Sequence, residues 1–280
     1  MLVIGAAGKT GRAVTRALVE RGVGVRAAIH RGRRSRIHAD DLVHPVPLDL
    51  ATGVGIEAAM AGVTGVYHLA PNVHPDEVLM ATRVADSALR QGVSRFIYHS
   101  VLHPDDASMP HHLRKGEAEK AIRARLESAT VLRPAAYLQN LDRPAQHGRI
   151  EVPYSLDTPF TNVDLDDVAH VAGQVLTEDG HAGATYDLVG AEQLSVREMA
   201  QVATDVLGHP VDAVSVPLDE WISGPGQDLS DQARDDLVAM FRSYDRGGLV
   251  GDSRTLRDLL GREPRTWQEV LAATRGRTTE

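Results

Sequence analysis

The sequence contains no cysteine. Disulfides, thiolate catalysis and cysteine-ligated metals are therefore excluded. No apolar run approaches the ~18 residues of a membrane span. The start lacks the charged region, apolar stretch and small-residue cleavage site of a signal peptide. A soluble, cytoplasmic protein with no membrane partner is the expectation, and the short first strand leaves open whether the chain's start is complete. There is no basic excess either: 30 Lys and Arg against 38 Asp and Glu give a net charge of −8. That balance speaks against a nucleic-acid surface. Lysine itself is confined to Lys9, Lys115 and Lys120, so each one matters. No internal repeat and no low-complexity linker divides the chain.

What is present is an ordinary globular composition, 42% hydrophobic and 24% charged over 280 residues, enough to bury a sizeable core. The first thirty residues read MLVIGAAGKTGRAVTRALVERGVGVRAAIH. A short apolar run, Met1 to Ile4, is followed by Gly5, Gly8 and Gly11, then by a helical pattern through Ala13, Val14, Ala17 and Leu18 closed by Gly22, then by a second apolar run to Ile29. This is a βαβ unit with a glycine turn. The first glycine permits the tight turn, the second lets the backbone approach a pyrophosphate, and the third lets the helix lie close on the sheet. The helix amino end then offers open N–H groups and a positive dipole end to phosphate. Gly8-Lys9-Thr10 resembles the end of a P-loop, but that motif needs a glycine where Val3 stands. An NTPase is set aside in favour of a dinucleotide site.

His30-Arg31-Gly32-Arg33-Arg34 follows the second strand. An acid there bonds the adenosine ribose 2′-hydroxyl, whereas arginine accommodates a 2′-phosphate. The residues present favour NADP(H) over NAD(H). Asp49-Leu50 ends the next strand, where the carboxylate either receives the adenine amino group or closes a turn. Leu69, Ala70 and Pro71 leave the carboxyl end of the fourth strand, and Ser100 that of the fifth; ligands of open α/β sheets lie at those ends. The loop HPDDASMPHH, residues 103–112, is rich in His and Asp but has no ligand-spaced helical pair, so no metal is assigned. Strand and helix alternate through Pro134, the pattern of a doubly wound parallel α/β sheet. Beyond it, Ser195 and Glu198 form a capping-box pattern, and residues 218–246, 252–260 and 266–274 read as helices.

The stretches VIGAAGKTGRAV, VRAAIHR, GVYHLAP, RFIYHS, HHLRKGEAEKAIR, ATVLRPAAYLQN, TNVDLDDVAHVA and LLGREPRTWQE together resemble the NmrA-like family of atypical short-chain dehydrogenases/reductases. The resemblance spans nearly the whole chain. It implies a Rossmann-type domain over residues 1–140, with 161–189 packing back onto it. Residues 141–160 and 190–280 would form a smaller, mostly helical substrate lobe. It also implies a phosphate loop of Gly5, Ala7, Gly8, Lys9, Thr10 and Gly11, a Lys115 ammonium on the nicotinamide ribose, and a Pro134 to Tyr137 segment beside the carboxamide. His30 stands where the family often has arginine, with Arg31 beside it to substitute and Arg34 close by. Tyr137, Leu138, Asn140, Trp221 and Phe241 are the expected substrate contacts.

One departure matters. Short-chain dehydrogenases use Tyr-x-x-x-Lys, and here the position four before Lys115 is His111. Either His111 donates the proton, or the acceptor needs no strong acid and His111 is an exposed histidine at a helix start. Three functions follow from the resemblance. The first is an NAD(P)H-dependent reductase of a small electrophile such as a quinone, enone or dye. The second is a non-catalytic NADP(H) sensor acting on a protein partner. The third is a reductase or epimerase of one specialised metabolite. A homodimer is compatible with each.

Overall fold

The structure, a computed structural model, describes residues 1–30 and 41–275. Arg31 and Arg34 lie outside the described residues. The first half alternates as the sequence pattern requires: β1 (Leu2–Ile4), α1 (Lys9–Val19), β2 (Val25–Ile29), β3 (Val43–Pro47), α2 (Ile56–Met60), β4 (Gly65–His68), α3 (Glu77–Arg90), β5 (Arg95–His99), α4 (Pro110–Arg123) and β6 (Thr130–Pro134). Then come α5 (Asp142–Gln146), β7 (Arg149–Val152), α6 (Leu165–Thr177), β8 (Thr185–Leu188), α7 (Val196–Leu207), β9 (Asp212–Ser215), α8 (Leu218–Ser223), α9 (Asp231–Gly247), α10 (Arg254–Leu260) and α11 (Trp267–Arg275).

Seven strands form one sheet in the order β3-β2-β1-β4-β5-β6-β8. The pairs β3-β2, β2-β1, β1-β4, β4-β5 and β5-β6 are all parallel. The order reverses beside β1, the arrangement of the Rossmann fold. Both faces are covered, which is why the strands read as short apolar runs rather than alternating ones. On one face Leu2, Ile4, Val66, Phe96 and Tyr98 join Ile56 and Met60 of α2, Ala81, Val84 and Ala85 of α3, and Ala118 and Ile122 of α4 in one buried cluster. Helix α1 packs against β1 and β2 and buries Ala13, Val14, Ala17 and Leu18, one stripe at helical spacing.

The chain divides into two compact units. The first comprises residues 1–105, 111–133 and 168–186; the second comprises 106–110, 134–167 and 187–280. Within the second unit β7 and β9 pair in parallel, with Ile150 opposite Ala213. The Ser195–Glu198 capping box forms as its pattern predicts and starts α7. Trp267 is fully buried, its indole N–H donating to the Met199 carbonyl at 2.9 Å, which ties α11 to α7. Asp167, also fully buried, accepts from the Arg262 guanidinium at 2.6 Å and from the Arg265 backbone N–H at 2.8 Å.

Candidate functional site

The glycine turn after β1 leaves no room for side chains. Gly5 has φ +83°, and a Cβ on Gly11 would stand 2.2 Å from the Gly5 carbonyl oxygen. Helix α1 thus sits against its own turn. Gly8 is the N-cap; no side chain caps the helix, and its first turn carries no acid. The amide-rich, positive end of α1 is left to an anion from outside the chain. A Cβ on Gly8 would meet the Gly5 oxygen at 3.3 Å, a tight contact but far looser than the one at Gly11. Ala7 and Thr10 are buried, while Gly8 and Lys9 are exposed.

Because the strands are parallel, His30, Gly5, Leu69 and Ser100 leave the same edge of the sheet, after β2, β1, β4 and β5. The turns adjoin: a Cβ on Gly5 would come within 3.0 Å of the Leu69 carbonyl. At the β3 end Asp49 closes a turn, its Oδ1 accepting from the Ala51 and Thr52 N–H groups at 2.9 and 3.3 Å. Its Oδ2 lies 3.9 Å from His30 Nε2. Burial acts to raise the Asp49 carboxyl, but the Thr52 and Ala51 hydrogen bonds and nearby His30 outweigh it and hold the group below its ordinary value. Leu50 is half-buried, Ala70 buried and Pro71 exposed. Among the described residues only Val73 and His103 are non-glycines with positive φ, at 46° and 54°. They sit in the loops off β4 and β5, and strain of this kind concentrates at functional edges.

The same edge holds a buried polar network. Lys115 on α4 is 8% exposed. Its ammonium donates to Glu77 Oε1 at 3.1 Å and to the His99 carbonyl at 3.4 Å, and lies 5.4 Å from the centre of the Tyr98 ring. Tyr98 donates its hydroxyl to the same Glu77 oxygen at 2.7 Å. Burial, together with the Glu77 charge, raises the Tyr98 phenol well above its ordinary value. Tyr67 OH lies 2.5 Å from His99 Nδ1. Burial drives His99 down to about 3, so its ring is neutral. Ser100 donates to Glu119, which Arg133 grips through two bonds, Nε at 3.0 Å and Nη2 at 2.5 Å.

His111 is buried on the same face of α4 as Lys115 and Glu119, not exposed at the helix start. Its pKa falls to about 3, through burial first and then the neighbouring His112, Lys115 and Arg114. The ring packs edge-on to His112 at 4.4 Å, and Nδ1 has no hydrogen-bond partner. Among the described residues no group of three His, Asp and Glu side chains is placed to hold a metal ion. No helix there is long and apolar enough to cross a membrane.

The model of the NmrA-like family matches residues 1–271. The chain belongs to the NmrA-like family. It is 26% identical to an NAD(P)H azoreductase of Xenophilus azovorans over 279 residues, 98% of this chain and 97% of the relative. It is 29% identical over 218 residues to a (4-alkanoyl-5-oxo-2,5-dihydrofuran-3-yl)methyl phosphate reductase of Streptomyces griseus subsp. griseus, 75% of each chain. An NADPH-dependent quinone oxidoreductase from Escherichia coli, solved in complex with NADPH, superposes with a TM-score of 0.82 at 23% identity, covering 100% of both chains.

The remaining assigned residues of this NmrA-like chain are in its second unit. Tyr137 bridges to Val163, and the Leu138 N–H donates to the Val163 carbonyl at 3.0 Å. Pro134 and Leu138 are buried and Asn140 is exposed. Trp221 packs edge-on to Phe241 at 4.8 Å, and Phe241 continues into Tyr154, Phe160 and Tyr244. Five of the chain's three Phe, two Trp and six Tyr meet in this cluster. Sequence reasoning missed Glu77, Tyr98, His99 and Arg133. The one available signal was spacing: His111, Lys115 and Glu119 recur every fourth residue, which stacks them on one helix face.

Proposed function

We propose that this NmrA-like protein is an NAD(P)H-dependent reductase, preferring NADPH, of small, planar, electrophilic acceptors of the quinone, enone or azo-dye class. The observation that carries this reading is the uncapped, acid-free amino end of α1 seated on a turn where Gly11 admits no Cβ. That cradle fits a dinucleotide pyrophosphate. When bound, the reduced nicotinamide supplies the hydride. Gly5, Ala7, Gly8, Lys9, Thr10 and Gly11 hold the phosphates. His30, with Arg31 and Arg34, meets the 2′-phosphate, while Asp49 and Leu50 flank the adenine. Leu69, Ala70, Pro71 and Ser100 line the nicotinamide half, and Lys115 orients its ribose from a fixed position. Pro134 and Tyr137 contact the carboxamide. The second unit is the substrate lobe, with Tyr137, Leu138, Asn140 and the Trp221–Phe241 pair as its contacts.

Proton supply follows from the acceptor. His111 is neutral at working pH and has little acid strength. The acceptors named for the relatives are conjugated azo, quinone and butenolide systems, whose reduced forms take a proton from water without a positioned acid. The absence of a tyrosine acid at 111 equally supports a second reading, a non-catalytic NADP(H) sensor.

Titration with NADPH and NADH by fluorescence, followed by 1,4-benzoquinone and the decay of reduced-cofactor absorbance, separates them. Rapid oxidation that Lys115→Ala abolishes supports the reductase. Tight binding without oxidation of a quinone, an enone or an azo dye moves the assignment to the sensor. Failure to bind either cofactor removes both.

A further inference from the structure

A lysine that is 8% exposed must have its charge maintained by the protein. Here the compensation comes from another element: Glu77, the first residue of α3, is 2% exposed and carries the carboxylate that Lys115 of α4 meets at 3.1 Å. Glu77 is itself anchored, since Tyr98 of β5 donates to the same oxygen at 2.7 Å. A side chain with four rotatable bonds is thereby fixed at three points: the carboxylate, the His99 carbonyl and the Tyr98 ring face. Glu77 follows the strained Val73 turn that leaves β4, so the loop off one strand delivers the counter-ion for a lysine facing the next.

We infer that Glu77 is a positioning residue for Lys115, pairing with the ammonium and fixing its direction at the carboxyl edge of β5. The inference rests on the reading of Lys115 as the ribose contact. The other titratable groups around the ammonium are Tyr98 and His99 of β5, His68 of β4, and His111 and Glu119 of α4 itself. Burial holds His68 and His99 at about 4 and about 3, and the two rings stay neutral. His111 stays neutral for the same reason, and Glu119 is committed to Ser100 and Arg133. Glu77 is left as the carboxylate in contact with Lys115.

The chain's three lysines make the test direct, because labelling lysine with 15N at Nζ gives three side-chain signals. In Glu77→Gln the Lys115 Nζ signal should move and its ammonium hydrogens should exchange with water about tenfold faster than in the wild type, the loss expected for one charged hydrogen bond. KM for NADPH should rise about tenfold, the loss expected for one charged hydrogen bond, with kcat changed less. Glu77→Asp should recover part of both. Tyr98→Phe, which removes the anchor but keeps the carboxylate, should fall between; if Glu77→Gln does not fold, the aspartate and phenylalanine variants carry the comparison. A Lys115 Nζ signal with the same position and hydrogen-exchange rate in the wild type and in the folded variants overturns the inference. The functional reading is tested separately: if the wild type binds no NADPH, the ribose role falls while the Nζ signal still decides whether Glu77 holds the Lys115 ammonium in place.

Discussion

His111 and Lys115 stand one turn apart on the buried face of α4 and are treated oppositely by the fold. The lysine has a carboxylate 3.1 Å away, whereas the histidine Nδ1 has no partner and its ring is held at about 3. A group so reluctant to charge is a poor proton donor at neutral pH. His111→Leu should keep quinone reductase turnover within about threefold of the wild type, because a working general acid is worth roughly 10²–10⁴. The wild-type rate should show no inflection near about 6.5, the ordinary histidine value. A loss of a hundredfold or more in the variant would reinstate His111 as the acid.

The glycine turn after β1 should separate stability from binding at two of its glycines. A Cβ on Gly11 meets the Gly5 carbonyl at 2.2 Å and Ala6 Cα at 2.7 Å, backbone atoms that cannot step aside. Gly11→Ala should therefore destabilise the free protein by about 1–3 kcal/mol or more, visible as a lower Tm without any cofactor. At Gly8 the nearest atom is 3.3 Å away. Gly8→Ala should lower Tm by less than Gly11→Ala does and, if the pyrophosphate lies over this turn, weaken NADPH by about tenfold or more. Equal Tm losses in the two variants would contradict this division.

The βαβ start, the strand order's parallel character and the Ser195 cap were legible in the sequence because each depends on neighbours within a few positions. The Lys115 environment was not. Glu77 lies 38 residues upstream and looks like any first-turn acid of a helix; only the parallel packing of β4 and β5 brings it under α4. Residue Glu119 reads as one charge among several on a polar helix, yet it is 5% exposed and paired with Arg133. His68 and His99 end strands that otherwise read as apolar, and nothing local says that their rings are dry.

Those dry rings make the fold acid-sensitive. Burial holds His68 at about 4 and His99 at about 3, against an ordinary 6.5. As pH falls below about 6.5 the unfolded chain binds protons that the folded chain refuses. Stability is thus full above that value and declines steadily toward the folded values. At pH 5 each ring should cost about 2 kcal/mol, at about 1.4 kcal/mol per pH unit. Urea midpoints at pH 7.5 and pH 5.0 should differ accordingly, with His111, also held at about 3, adding a further share. His68→Leu, which removes two ring nitrogens that have no hydrogen-bond partner, should lessen the difference by one ring's share. Identical midpoints at the two pH values would show that neither histidine is held neutral.

Cofactor preference turns on His30, which is exposed and has its Nε2 3.9 Å from Asp49 Oδ2. An imidazole presents one ring edge to a phosphate, whereas a guanidinium presents a charged fork that binds it through two parallel bonds. If the 2′-phosphate of NADPH arrives at this corner, His30→Arg should raise the NADPH-to-NADH ratio of kcat/KM by about tenfold, and His30→Ala should lower it. The change should appear in KM for NADPH alone, because the ribose 2′ position is remote from the hydride and its contact is made equally in the ground and transition states. A ratio that moves through NADH or through kcat would place the 2′-phosphate elsewhere and leave His30 as a surface residue of the β2 end.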